Sequence, residues 1–302
     1  MKRCIGLRGW FSASPLTLSI VLGLSGSGAR AVESTMPAAR PVPQTPAAAG
    51  RGSSPFVPPE PLDYADRTGW TSIFDGRTLT GWSGNPDVWS VENGAITATS
   101  TTERRVGSTH IVWAGGEPAD FELKLEVKLE GDIHSGIAYR SFVDAGRGTA
   151  GRQGGASRSG GAGPAAPQIP SDPKWTLYGP GLDIDYDRKM AGNVEDRGTP
   201  RREVAWRGGM VRAESGKRPR SIGSIGDPDA LMALIKPDDW NQVHIIARGN
   251  QLTHIINGQV MAVLIDEDQS FFRPSGLIGL QIEMFGTGKV NFREIWLKQY
   301  RP

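Results

Sequence analysis

The chain has 302 residues, within reach of one large β-rich domain preceded by smaller segments. Its 34 basic and 32 acidic side chains leave a formal charge of +2, too balanced for a polyanion-binding surface, so nucleic acid is not an expected partner. No run of eighteen apolar residues offers a membrane span, and 40 glycines with 22 prolines imply many turns and few long helices.

In chain order, Lys2, Arg3 and Arg8 make a positive start, residues 15–24 a short apolar stretch, and Ala29-Arg30-Ala31 a small-x-small cleavage pattern. Residues 1–31 therefore read as a secretory signal, and a secreted or periplasmic location is the expectation. The single cysteine, Cys4, would leave with it, which removes disulfides, thiolate metal sites and a cysteine nucleophile from consideration. Residues 32–66 are rich in Pro, Ala, Gly and Ser and read as a disordered tether, with the folded domain expected over 67–302.

Beyond Gly69 the texture is short and alternating. Phe121, Leu123, Leu125, Val127 and Leu129 alternate with charged residues in strict period two, which marks a half-buried strand. Asn93-Gly94, Gly249-Asn250 and Asn257-Gly258 sit between strand-like runs, where hairpin turns with positive φ suit them. Residues 146–173 form a Gly/Ser/Arg/Pro-rich insertion that reads as a mobile surface loop. One short helix is expected over 227–235, with Asp227 as cap and Pro228 in its first position. Segments 242–248, 252–257 and 260–265 make a meander, and two longer runs, 276–285 and 289–298, follow it. At least ten strands in this pattern predict an all-β, two-sheet antiparallel sandwich.

Alternation also sorts polar groups that cannot belong to the core. Over 276–285 the even positions are apolar, so Gln281 and Glu283 project together from the other face. Over 181–187 Leu182, Ile184 and Tyr186 form the apolar side, leaving Asp183, Asp185 and Asp187 opposite. Over 133–141 His134 and Arg140 align with the small residues Gly136 and Ala138, which leave space. Acids two apart on a strand have Cα atoms roughly 6.5–7 Å apart, compatible with paired-carboxylate chemistry, a solvated strand face or calcium coordination alike. His110, His244 and His254 lack paired ligand spacing and read as packing or surface residues, whereas Trp113 and Trp206 lie beside Gly-rich loops where a sugar could stack.

The segments GWTSIFDGRTLTGW (69–82), VWSVENGAI (88–96), DFELKLEVKL (120–129), HSGIAYRS (134–141), DDWNQVHIIARGNQLTHIINGQV (238–260), GLIGLQIE (276–283) and VNFREIWLK (290–298) occur in order. Together they resemble the 3-keto-disaccharide hydrolase domain, which implies a concanavalin A-like jelly roll and a secreted or periplasmic hydrolase acting on glycosides oxidised at carbon 3. The chain departs from the family's pattern at His134, which stands for asparagine, at Asp183 and Asp185, where relatives commonly carry Glu and Gln, and at Glu283, where many have histidine. A ketone at carbon 3 acidifies the proton on carbon 2, so a base can remove it and expel the group on carbon 1, after which water adds back. The resulting expectation makes Asp185 or Glu283 the base and Asp183 the acid. Arg140 and His134 would hold the enolate, a place a divalent cation could take, and Gln281, Trp113 and Trp206 would bind an oligosaccharide or glycoside. The alternative is a non-catalytic lectin-like carbohydrate-binding module, since fold cannot separate the two.

Overall fold

The computed structural model describes residues 63–143 and 168–300. The expected signal, the tether up to residue 62 and positions 144–167 of the insertion lie outside the described residues. Fifteen strands are described: β1 (Thr71–Ser72), β2 (Trp82–Ser83), β3 (Trp89–Glu92), β4 (Ala95–Ser100), β5 (Thr109–Trp113), β6 (Phe121–Val143), β7 (Leu177–Asp185), β8 (Val194–Arg197), β9 (Arg202–Ala205), β10 (Gly209–Glu214), β11 (Arg220–Ser224), β12 (Asn241–Arg248), β13 (Gln251–Ile256), β14 (Gln259–Glu267) and β15 (Leu277–Gln299). The expected helix is α1 (Pro228–Met232), capped by Asp227, whose carboxylate accepts from the N–H groups of Asp229 and Ala230.

The two 23-residue strands β6 and β15 organise everything else. They pair with each other along their length and pass through both layers of the sandwich. Their first contact region, β15 residues 279–282 against β6 residues 135–138, sits in a layer ordered β2-β5-β15-β6-β7-β8-β9. Their second, β15 residues 289–299 against β6 residues 121–130, sits in a layer ordered β3-β4-β15-β6-β12-β13-β14-β10-β11. Between the two, both strands bend at glycines: Gly131 has φ +80° and Gly286 has φ +76°, and a side chain on Gly286 would overlap the Asp132 carbonyl. All pairings are antiparallel except β10 with β14, which run parallel.

The core lies between the layers. Phe121, Leu123, Leu125 and Val127 of one half of β6 and Ile133, Ile137 and Tyr139 of the other are all buried in one cluster, as a half-buried strand requires. The Tyr139 hydroxyl bonds His254 Nε2 across the sandwich at 2.7 Å, and His254 Nδ1 faces the Asn193 carbonyl at 3.1 Å. Burial holds His254 down to about 4, so its neutral ring is a packing group. Within residues 63–66, which the composition placed in the tether, Tyr64 is packed instead: its hydroxyl reaches the carbonyl oxygens of Leu125 and Val243 at 2.7 and 3.0 Å. The end of the insertion is likewise fixed, since Gly107 donates to the Ile169 carbonyl at 2.7 Å and Ile169 to that of Arg105 at 3.1 Å.

Candidate functional site

On the outer face of the seven-strand layer, register alone builds a row. Gln281 of β15 stands opposite Gly136 of β6, which stands opposite Asp183 of β7. One step along, Gly181 of β7 stands opposite Glu195 of β8. Two of these positions carry no side chain, which leaves a hollow floored by Gly136 and Gly181. A Cβ on Gly136 would come within 2.8 Å of the Gln281 Oε1 atom, and one on Gly181 within 3.0 Å of a Glu195 oxygen. The neighbouring polar side chains thus lie over the glycines.

Arg197, two residues beyond Glu195 on the same strand face, is the centre of this hollow. Its Nη2 atom donates to Glu195 Oε1 at 2.8 Å, Gln281 Oε1 at 2.8 Å and Glu283 Oε1 at 2.6 Å. The Gln281 amide also donates to Glu283 Oε1, at 3.0 Å. Burial works against the guanidinium charge, but Glu195 and Glu283 outweigh it and hold Arg197 protonated. Both of these bonds to Glu283 land on one oxygen, leaving Oε2 without a partner among the described residues. Asp183 differs. Its carboxyl receives no hydrogen bond among the described residues, and burial together with Glu195 and Glu283 pushes it well above the ordinary carboxylate range. Glu195 is also raised, by burial first, against the opposing pull of Arg197.

The structure therefore brings together three residues singled out by alternation, Asp183, Gln281 and Glu283, and adds Glu195 and Arg197. It separates the others. Arg140 is 1% exposed and lies at one end of the sandwich, where it donates to the carbonyls of Ala119, Gly249 and Arg273 and to the Asp120 carboxylate. The cause is local: Arg140 has φ +45° and the β6–β7 pairing shifts register between Ala138 and Phe142, so the alternation that aligned Arg140 with Gly136 is broken before it arrives.

Asp185 is buried and turned into the β7–β8 connection, where both of its oxygens accept from the Met190 N–H at 3.1 Å. Burial and a hydrogen bond shared with Asp187 push Asp185 up to about 7, while the same bond holds Asp187 well below the carboxylate range. One proton thus serves the pair, which anchors a turn. Trp113 is in phase with the core residue Ile111 and packs against the core, away from the face of the hollow. Trp206 is 55% exposed, in the turn after the edge strand β9. His134 lies two residues from Gly136, with its ring in edge contact with those of Tyr186, at 5.5 Å, and Phe285, at 6.0 Å. Tyr186 itself is exposed, contrary to its expected place in the core, because β7 ends at Asp185.

Among the described residues no group of three or more His, Asp or Glu side chains is arranged to hold a metal ion. The acids of the hollow do not fit a divalent cation, because a guanidinium already stands among them. No described helix is long and apolar enough to cross a membrane.

A jelly-roll sandwich with a carboxylate–guanidinium hollow on one outer face is the class that fold and site define. Within it the chain belongs to the 3-keto-alpha-glucoside-1,2-lyase-like domain family, whose sequence profile matches residues 69–298. That membership makes it a glycosidase-like, carbohydrate-active domain. Comparison with curated proteins found no match. Among solved structures the chain is similar to two candidate glycosyl hydrolases from Parabacteroides distasonis ATCC 8503. One shares 17% identity over 78% of this chain and 95% of its own, with a TM-score of 0.44; the other shares 20% over 76% and 99%, with a TM-score of 0.45. It is also similar to the carbohydrate-binding module CBM66 from Bacillus subtilis, at 11% identity over 72% and 96% and a TM-score of 0.42.

Proposed function

We propose that this protein cleaves the glycosidic bond of glycosides oxidised at carbon 3, by elimination followed by hydration, and that it does so outside the cytoplasm. The observation that carries the reading is the trio around Gly136: a glutamate with one oxygen free of partners among the described residues, a fixed cation and a carboxyl whose surroundings favour its protonated form. Glu283 Oε2 takes the carbon 2 proton, whose bonding electrons move into the enolate of the carbon 3 ketone. Arg197 faces that developing charge with donors already fixed by Glu195 and Gln281, so little reorganisation is needed. Asp183, whose protonated form is favoured by burial and by Glu195 and Glu283, gives its proton to the leaving oxygen as the bond to carbon 1 breaks. Water then adds at carbon 1 and the proton returns to carbon 2, so the sum is hydrolysis. The sequence expectation of a base, an acid and a cationic partner is kept, with Arg197 in the part first given to Arg140.

The test is turnover of a panel of 3-keto-glycosides in deuterated water. Wild type is expected to cleave at least one of them with deuterium entering at carbon 2. Glu283→Gln is expected to lose about 10²–10⁴-fold in kcat, the usual worth of a positioned base. Equal rates for wild type, Glu283→Gln and Asp183→Asn would end the proposal. Binding without turnover or label would make the domain a non-catalytic carbohydrate-binding module.

A further inference from the structure

We propose that the rings of His134, Tyr186 and Phe285 form a subsite for an aromatic leaving group at one end of the acid hollow. The placement comes from a bulge. Ser135 pairs with Ile282 and Ile133 with Gly286, so His134 alone opposes Glu283, Met284 and Phe285. The extra length in β15 sets Glu283 beside Arg197 while bringing the Phe285 ring within 6.0 Å of His134, edge to face. Tyr186, the first residue past β7, sets its ring at 5.5 Å and 73° to the same imidazole. Tyr186 is 42% exposed, an open ring, in contrast to Tyr139, which is fully buried between the layers.

The two ends of the hollow are chemically unlike. Around Gly136 and Gly181 the neighbouring side chains Gln281, Glu195, Asp183 and Arg197 are charged or amides, suited to a polyhydroxylated ketone. Two residues away along β6, at His134, the surface becomes three rings. Asp183, the group assigned to protonate the leaving oxygen, pairs with Gly136, and His134 pairs with Asp185 two residues along the same ladder, so the ring cluster adjoins the acid end of the row. Aromatic rings prefer offset or edge contacts with another ring, and a planar aglycone offers them. The assignment of these rings to the leaving group rests on the proposed elimination; the existence of an aromatic-ring subsite does not.

The experiment compares 2-phenylethyl and ethyl β-glucosides, whose alcohols are similar in leaving ability, by NMR titration of wild type, Tyr186→Ala and Phe285→Leu. Wild type is expected to bind the phenylethyl glucoside about 10-fold more tightly than the ethyl, in line with ring–ring contacts at two rings. Tyr186→Ala, a change at an exposed ring that leaves the fold intact, is expected to reduce that preference to within about twofold. Equal affinities for the two glucosides in wild type, no detectable binding of the phenylethyl glucoside, or a preference that persists in both variants would overturn the subsite. Turnover of the 3-keto derivatives is read separately. A preference without turnover upholds the aromatic subsite and removes the elimination reading, whereas turnover without a preference overturns the subsite alone.

Discussion

Arg140 and Arg197 are both removed from bulk solvent, and their partners decide what each is for. Arg140 donates to three backbone carbonyls and one carboxylate, at 2.8–3.4 Å, from three separate loops. Arg140→Met would strand those acceptors, and a loss of about 3 kcal/mol in denaturant-measured stability is expected with KM unchanged. Arg197→Met instead leaves Glu195 and Glu283 uncompensated and, on the proposed mechanism, removes the donors for the enolate, so turnover should fall at least about 100-fold. Asp185 gives a third test. Its folded value of about 7 lies above the unfolded one, so the folded protein holds an extra proton between roughly pH 4 and 7 and loses stability as pH rises through that window. Asp187 is depressed and acts in the opposite sense, below that window. Asp185→Asn, which can keep donating to Asp187, should flatten the stability loss between pH 5 and 8 and leave kcat within about twofold, read by chemical denaturation at both pH values and by turnover. A large fall in kcat would return Asp185 to the reaction.

At the level of strands, β6 and β15 carry a period-two code that the sequence displays openly, because one face is apolar core and the other polar. The same alternation makes Gln281 and Glu283 of β15 legible as one polar face, and Asp183 of β7 as a residue turned away from the apolar side, before any coordinates. The code fails where the backbone or the interior departs from its assumptions. At Arg140 the positive φ and shifted register change the phase. Glu195 and Arg197 are hidden for a different reason: in Val194–Arg197 the inward residues are Val194 and Asp196, and Asp196 is buried in an ion pair with Arg201, which also binds Asp266. With one of only two inward positions ionic, polar residues lie on both sides and alternation has little contrast. Trp113 was legible, being in step with Ile111, but the Gly-rich loop beside it pointed elsewhere. The glycines are the strand-scale prediction. Gly136 has no positive φ, so Gly136→Ala needs no strained dihedral, yet its Cβ would come 2.8 Å from the Gln281 oxygen that Arg197 holds and 3.1 Å from the Leu182 carbonyl. A fall of about 10-fold or more in kcat/KM with a thermal midpoint near that of wild type is expected; unchanged kcat/KM would show that the floor of the hollow is not where substrate lies.

As a whole molecule the sandwich has two outer faces put to opposite uses. The seven-strand layer keeps its outer face as a hollow. The nine-strand layer has its own outer face strapped by residues 63–70, with the Lys124 ammonium 5.2 Å from the Tyr64 ring and 4.6 Å from that of Trp70, and Arg67 4.8 Å from Trp296. Lys124 is accordingly buried although it sits on the polar side of β6, and burial lowers its pKa. The strap belongs to the fold and the site does not depend on it, so the two should separate experimentally. Tyr64→Phe keeps the ring over Lys124 and removes only the hydroxyl that reaches Leu125 and Val243, and a loss of about 1 kcal/mol is expected. A chain beginning at Gly69 loses the ring and the arginine as well and exposes Lys124, so its stability should fall by about 2–3 kcal/mol relative to one beginning at Glu60. Denaturant melts of the three proteins, with glycoside turnover or binding measured below each transition, check both halves of the expectation: stability should drop in that order while the hollow on the opposite layer keeps its affinity and rate.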